Sequence, residues 1–404
     1  MRSLLKSIIP DSILARLRDL RYELRAFRYA SSGFFSALSA RQRIRSIIQR
    51  NPGRKGIVIM LMTGTAQAWD FKLFGRFQQL ARAFARQGYL VFYCGPDGLR
   101  GPAELSAVEP LLYLCRTPAE VAHIKDAIVY VHWPPQRRLV SYRFSRQKVI
   151  YDHVDELEIW SGPPARMRND HEWLLRRATV VSVTAHRLLS RVARTRPDAI
   201  LCPNAADYTF FQEQPSAPAP PDLQPLLDQP IVGYYGLLGP WFDYELLRHA
   251  AAQCSDLNFV LIGPENENRR QQYSWGHLPN VHFLGPRPYH ALPSYAARFS
   301  VATIPFLVCN ITLSTSPVKL FEYMASGLPV VSTALPECRK YRSVYVAEDP
   351  DDFVRGIRHA LDGAYDRESI LAEARENDWT QRARAILTAL GEEAPTRVGS
   401  DTPL

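Results

Sequence analysis

Two series of short apolar runs, each run followed by a segment of helical length, constrain this chain more than any other feature. The first series opens with Gly56-Ile-Val-Ile-Met-Leu-Met62 after an Asn-Pro-Gly turn and continues at residues 89–94, 127–132, 148–151 and 179–183. The second opens with Pro230-Ile-Val-Gly-Tyr-Tyr-Gly236 and continues at residues 257–263, 281–285, 301–305 and 329–332. Runs this short, apolar throughout and bounded by turn residues, read as strands buried on both faces of a parallel sheet. Segments such as 71–87 between them have a helical pattern, and strand alternating with helix predicts a doubly wound α/β domain. Two such series, in a chain of 404 residues that is too long for one ordinary core, predict two of these domains.

The Pro-rich stretch Gln214-Pro-Ser-Ala-Pro-Ala-Pro-Pro221 separates the series and reads as a linker. The expected divisions are an N-terminal arm at 1–55, a first α/β domain at 56–211, the linker at 212–229 and a second α/β domain at 230–375. A helix at 376–392 and a disordered tail at 393–404 complete the chain.

Charge is distributed unevenly. The formal net charge is +9, and residues 1–55 hold thirteen Lys or Arg against Asp11, Asp19 and Glu23, so the rest is close to neutral. A basic segment on a neutral body suggests a surface-binding arm and excludes a protein that coats nucleic acid along a groove. Leu4, Leu5, Ile8, Ile9, Ile13, Leu14, Leu17, Leu20, Leu24 and Phe27 recur at helical spacings between the arginines, the pattern of an interfacial helix on anionic lipid. A helical extension packed on the first domain is the other reading. No apolar run has the length of a spanning helix, and no small-residue cleavage site follows a clean apolar core. Six cysteines without CxxC or Cys/His pairing argue against a zinc site and against a disulfide framework, and favour a reducing cytoplasm.

The densest chemical signal is Ser316-Pro-Val-Lys-Leu-Phe-Glu-Tyr-Met-Ala-Ser-Gly327, followed by Leu328-Pro-Val-Val-Ser-Thr333. Ser316 and Pro317 suit a helix start, Gly327 suits its C-terminal cap, and a buried strand follows. Lys319 and Glu322 lie three apart and share a helix face. The helix N-terminus and Lys319 would meet a phosphate there, and Glu322 could accept hydrogen bonds from ribose hydroxyls.

This stretch resembles the donor-binding motif of GT-B glycosyltransferases, in which a loop and helix of the C-terminal domain hold the diphosphate and ribose of a nucleotide sugar. One departure is Ser314, which stands where many retaining members carry a glutamate eight residues before the helix glutamate. The resemblance covers most of residues 56–390 and includes Gly233-Tyr-Tyr-Gly-Leu-Leu-Gly239, whose Gly236 and Gly239 would let the chain turn beside a diphosphate. That segment is not GxGxxG, which weakens a dehydrogenase reading. Leu261-Ile-Gly-Pro264 and residues 278–287 resemble the strands that frame the nucleobase. Main-chain groups near Phe283 and Leu284 would read uracil, while Arg287 would touch phosphate or base, or be a surface arginine after a strand. With Ser316, Val318, Lys319 and Glu322 these form the expected donor site. Pro203-Asn-Ala-Ala-Asp207 resembles a further family landmark, with Asn204 structural.

In the first domain, Val149-Ile-Tyr-Asp-His-Val-Asp-Glu-Leu157 puts carboxylates directly after a strand. Glycosyl transfer needs a base for the attacking hydroxyl, and a strand end can hold one rigidly. The segment resembles the strand end that carries the catalytic aspartate of the inverting glucuronosyltransferases of xanthan assembly, with the match at Asp155. Asp152 is the reserve candidate, or else a strand-end cap. Thr63-Gly-Thr-Ala-Gln-Ala-Trp-Asp70 would line the acceptor side through Thr63, Gly64 and Trp69. Arg76, Gln78 and Gln79 are expected to cap and pack a helix, and His132 to be structural.

The resemblance implies a GT-B architecture and transfer of a sugar, with a UDP-sugar favoured as donor, to a lipid-linked or growing saccharide in cell-surface polysaccharide assembly. It implies direct displacement with inversion, with no cofactor, because the nucleotide sugar is itself a substrate. No bound metal is expected, since Asp349-Pro-Asp-Asp352 lies beyond the donor region. The expected location is the cytoplasm, on the inner face of an anionic membrane. A nucleotide-sugar 2-epimerase and a non-catalytic nucleotide-sugar-binding relative share the architecture and remain alternatives.

Overall fold

A computed structural model describes residues 20, 24, 34–62, 69, 74–95, 105–157, 165–213, 218–265 and 269–392. Eight strands form the first sheet: β1 (Gly56–Leu61), β2 (Tyr89–Cys94), β3 (Ser106–Glu109), β4 (Leu112–Cys115), β5 (Ile128–Val131), β6 (Lys148–His153), β7 (Val180–Val183) and β8 (Ile200–Leu201). Their order is β3-β4-β2-β1-β5-β6-β7-β8, parallel except for the antiparallel edge strand β3. Six parallel strands form the second sheet: β9 (Ile231–Tyr235), β10 (Asn258–Ile262), β11 (Val281–Gly285), β12 (Val301–Ile304), β13 (Val330–Thr333) and β14 (Val344–Ala347). Their order is β11-β10-β9-β12-β13-β14. This is the GT-B architecture of two doubly wound domains. The sequence order reverses between β1 and β5 in one sheet and between β9 and β12 in the other, and the crevice beyond the carboxyl ends of such strands is where ligands bind in open α/β sheets.

The central strands are apolar because helices cover both faces. All six residues of β2 are buried, and its register with β1 pairs Val58 with Val91 and Ile59 with Phe92. One face packs Ile57, Ile59, Phe92 and Val129 against Leu139, Phe144 and Leu174; the other packs Val58, Met60, Val91 and Tyr130 against Leu80 and Phe84. The second domain has its own continuous core, which includes Leu320, Phe321, Tyr323 and Met324 from the helix Val318–Ala325.

The C-terminal helix Trp379–Ala389 crosses to the first domain and buries Trp379, Ala383, Ile386 and Leu387 in the core with Leu80 and Phe84. The crossing is pinned by main-chain bonds: Ala206 N donates to Asn377 O at 3.1 Å and Trp379 N to Ala206 O at 3.1 Å. Asp378 caps the helix by accepting from Thr380 N at 2.7 Å.

The segment read as one basic arm divides in two. The helix Phe34–Arg50 buries Ala40, Ile44 and Ile47, spaced four and three apart, among core residues that include Val121 and Ile124. A single apolar stripe with arginines on the remaining faces suffices for such docking, so this part is packed on the domain. Most of residues 1–33 lie outside the described residues, as does the tail 393–404; Leu20 and Leu24 are exposed. Among the described residues no helix is long and apolar enough to cross a membrane.

Candidate active site

Loops at the carboxyl ends of the two sheets meet in the crevice. On the second domain, β9 is followed by Gly236, whose φ of 139° and N–H bond to Ile262 O at 2.8 Å turn the chain sharply. A Cβ on Gly236 would stand 2.7 Å from Lys319 Cε, and one on Gly263 would stand 1.9 Å from Gly236 O. The two glycines therefore permit two loops and a lysine to occupy one place. Lys319 is half-buried, with Nζ 5.3 Å from the centre of the Tyr234 ring and 4.8 Å from that of Phe306. Among the described residues no carboxylate lies within ion-pair distance of it. Desolvation pulls its pKa down to about 8, although nearby Glu322 and Cys338 favour the ammonium. No side chain caps the N-terminus of its helix, where Pro317 is the N-cap. An ammonium supported by aromatic faces, beside uncapped helix amides, is a site for an anion.

Glu322 lies one turn further along the same helix and is buried. The Tyr235 and Tyr289 hydroxyls face it. Burial drives its carboxyl up to about 7, against the pull of Lys319 and of those hydroxyls. Tyr289 in turn accepts from Gln79 Nε2 at 2.9 Å, which links this corner to the first domain.

Three further contacts join the domains along the crevice. Asn204 donates from its main-chain N to Ser316 Oγ at 3.1 Å and from Nδ2 to Ser316 O at 2.6 Å. Ser314, at the position where a glutamate is usual, donates Oγ to Glu156 Oε1 at 2.5 Å. Glu337 Oε1 accepts from His186 N at 2.9 Å, at the start of the helix His186–Val192. The loop 314–318 is thus held against the first domain, and Val318 also packs on that domain's core.

The two candidate bases differ sharply. Asp152, the last residue but one of β6, is fully buried, and its oxygens accept four bonds. Arg76 grips it at 2.7 Å (Nε to Oδ2) and 2.8 Å (Nη2 to Oδ1), Ser182 Oγ donates to Oδ1 at 2.7 Å, and Tyr130 OH donates to Oδ2. Four acceptor sites are then filled, and the Asp152 carboxyl titrates below its ordinary range, since Arg76 and these hydroxyls outweigh desolvation. Both Asp152 oxygens are thus engaged by protein groups, the setting of a strand-end anchor. Asp155, two residues beyond the strand, is exposed to the crevice and has no hydrogen-bond partner among the described residues. Surrounding protein still desolvates its carboxyl and pushes it up to about 6; Arg76 opposes this, while Asp152 and Glu156 reinforce it. A reachable carboxylate titrating near neutrality has the properties of a general base.

Other predicted residues occupy different settings. Arg287 faces the linker, where it pairs with Asp222 and donates from Nε to Tyr295 OH at 2.8 Å, so its role there is that of a structural arginine. Phe283, on edge strand β11, packs at 5.0 Å on Trp275 under the Arg270 guanidinium at 4.7 Å. A bulge takes Leu284 out of register with β10. Gly239 sits in the turn beside Trp241. Trp69 packs edge-on against Phe74 and Tyr93 at 5.3 and 5.4 Å. Thr63 and Gly64 lie outside the described residues. His132 packs on Phe77 with ring centres 4.3 Å apart and planes tilted by 40°, and its Nε2 is buried without a partner among the described residues. Among the described residues no group of three His, Cys, Asp or Glu side chains converges as a metal site. Sequence reasoning missed Glu156, Tyr235, Tyr289 and the Arg187–Arg191 pair, since only the fold brings them to the crevice; the adjacency of Glu156 to Asp155 was the one available signal.

Residues 229–363 match the family model described as Glycosyl transferases group 1. The teichuronic acid biosynthesis glycosyltransferase, by name, TuaH of Bacillus subtilis (strain 168) is 27% identical over 279 residues, which are 63% of this chain and 69% of TuaH. Sucrose-phosphate synthase from Thermosynechococcus elongatus superposes with a TM-score of 0.60 at 16% identity, over 83% of this chain and 96% of that structure. HepE of Anabaena in complex with UDP-glucose gives a TM-score of 0.60 at 16% identity, over 83% and 100%. The trehalose-6-phosphate synthase OtsA gives 0.65 at 12% identity, over 84% and 100%. At such identities the structural matches report the shared GT-B fold.

Proposed function

We propose that this protein transfers a sugar from a nucleoside-diphosphate sugar, with uridine as the favoured base, to a saccharide acceptor in cell-surface polysaccharide assembly. The observation that carries the reading is a pair of charges without an ion-pair partner among the described residues, the Lys319 ammonium on the second domain and the Asp155 carboxylate on the first. Lys319 and the uncapped amides of its helix suit the departing diphosphate, whose charge grows as the glycosidic bond breaks. Asp155 suits the acceptor hydroxyl, taking its proton as the oxygen attacks the anomeric carbon from the opposite face. Displacement of that kind inverts the anomeric configuration and draws its electrostatic assistance from Lys319 and the helix without a metal.

The UDP-glucose bound in the HepE structure and the teichuronic acid pathway in the name of TuaH support the donor and the acceptor class. Exposed Leu20 and Leu24 and the basic residues 1–33 support work at an anionic membrane surface, where a lipid-linked acceptor would be met. The likeness to xanthan-assembly glucuronosyltransferases at Asp155 supports inversion. The experiment is a thermal-shift panel of nucleotide sugars followed by transfer to saccharide acceptors. A ligand that binds the folded state raises the melting temperature, so one UDP-sugar should stand out and should yield an inverted glycoside. Absence of stabilisation by every nucleotide sugar would overturn the reading. Sugar isomerisation without an acceptor would replace it with an epimerase.

A further inference from the structure

We infer that Glu156 is a positioning residue, which ties the strand-end turn carrying Asp155 to the donor-side loop so that the base is placed by the closed arrangement of the two domains. The inference rests on the reading of Asp155 as the base.

Among the described residues Asp155 has no hydrogen-bond partner, so its neighbours in the chain fix its position. On one side, Val154 O accepts from Thr184 Oγ1 at 2.5 Å. On the other, Glu156 is buried, and its two oxygens are held from both domains. Oε1 accepts from Ser314 Oγ across the crevice and lies 3.7 Å from Arg187 Nε, while Oε2 is paired with Arg191 Nη1. Arg187 also reaches Asn310 Oδ1 of the second domain at 3.4 Å. Arg187 and Arg191 stand four apart on the helix His186–Val192, whose first amide is capped by Glu337 from the second domain. That helix is therefore held by both domains, and Glu156 is the carboxylate through which it holds the turn.

The choice of a carboxylate here has a chemical consequence. The charged groups acting on Asp155 are Arg76, Asp152 and Glu156, and those on Glu156 are Arg187 and Arg191. Placing one carboxylate beside another is unfavourable for stability, but it raises the proton affinity of the exposed member. Glu156 thus sets both the place and the basicity of Asp155. If Ser314 Oγ leaves, the turn loses the one direct side-chain bond it makes across the crevice among the described residues, and Asp155 is free to move relative to the donor loop.

The test uses the full chain in a Cys309→Ser background, with spin labels at Tyr142→Cys on the first domain and Arg355→Cys on the second. Electron–electron distance measurements are made with and without saturating UDP. Expected are a narrow UDP-bound distance in the parent, an equal broadening in Ser314→Ala and Glu156→Ala, and no further broadening in the double variant, because both remove one bond. Turnover of the nucleotide sugar found by thermal shift should fall roughly 10- to 100-fold in each variant, as for a misplaced reacting group. UDP affinity should stay unchanged. The acid limb of kcat/KM should move to lower pH in Glu156→Gln, which removes a negative charge, and stay in place in Ser314→Ala. Unbroadened distances, or additive effects in the double variant, together with an inactive Asp155→Asn, would overturn the positioning role alone. Parental turnover in Asp155→Asn would overturn the base reading itself, whatever the distances show.

Discussion

Arg76 and Asp152, 76 positions apart in sequence, form a buried two-pronged ion pair at 2.7 and 2.8 Å beneath the crevice floor. Arg76 Nη1 continues from there to Pro203 O at 3.1 Å and Asn204 Oδ1 at 3.2 Å. One guanidinium therefore joins the end of β6 to the loop that grips Ser316 of the second domain. Removing one partner leaves the other charge buried without compensation, which costs about 3–5 kcal/mol. Arg76→Ala and Asp152→Asn should each lower the unfolding free energy by that order in denaturant titrations. Parental stability together with lost turnover in Asp152→Asn would mean that Asp152 acts in chemistry after all.

Asp155→Asn should leave stability and UDP affinity close to the parent values and lower turnover by at least about a hundredfold, as for a lost general base. The Asp155 carboxyl is raised to about 6, and a base acts only when deprotonated, so kcat/KM should climb as pH rises through about 6. That acid limb should vanish in the Asn variant. A limb that persists there belongs to another group.

Lys319→Ala should weaken UDP binding by about 1.5–3 kcal/mol, the range for a charge-assisted hydrogen bond. Burial lowers the ammonium to about 8, so the unliganded protein loses this charge as pH rises past 8, and UDP affinity measured by calorimetry should decline over that interval. Gly236→Ala should weaken UDP binding too, because its Cβ would displace the lysine stem. An affinity unaffected by either substitution would take Lys319 out of the site.

Trp379→Ala should destabilise the protein by about 3–5 kcal/mol, as expected for emptying a large buried site. Trp379 is 2% exposed and joins the C-terminal helix to the first domain's core, so the loss should be accompanied by faster amide exchange along Trp379–Ala389. Unchanged exchange would show that the helix docks without it.

Deletion of residues 1–33 should abolish co-sedimentation with anionic vesicles, and added salt should weaken binding of the full chain, since such attraction is screened within a Debye length. Deletion through residue 55 should in addition lower the melting temperature, because it removes Ala40, Ile44 and Ile47 from the core. Vesicle binding that survives the shorter deletion would place the membrane contact elsewhere.

The amino-acid sequence by itself determined the two doubly wound sheets, because strands covered on both faces must be apolar along their whole length and show as uninterrupted runs. It determined the helix Val318–Ala325 as well, since Pro317, Lys319, Glu322 and Gly327 are local signals within one short stretch. Tertiary structure decided what each charged residue does. Asp152 and Asp155 look alike as letters three apart, yet one faces Arg76, Tyr130 and Ser182 in the interior while the other faces the open crevice. Arg287 reads as a ligand of phosphate or base or as a surface arginine, and the sequence does not show that Asp222, 65 residues away, pairs with it. The basic N-terminal segment reads as one arm, and only packing against Val121 and Ile124 shows where the docked helix begins. Apolar periodicity is a local property that survives in one dimension. The work of a carboxylate or a guanidinium depends on which partners and how much water surround it, and residues distant in sequence supply both.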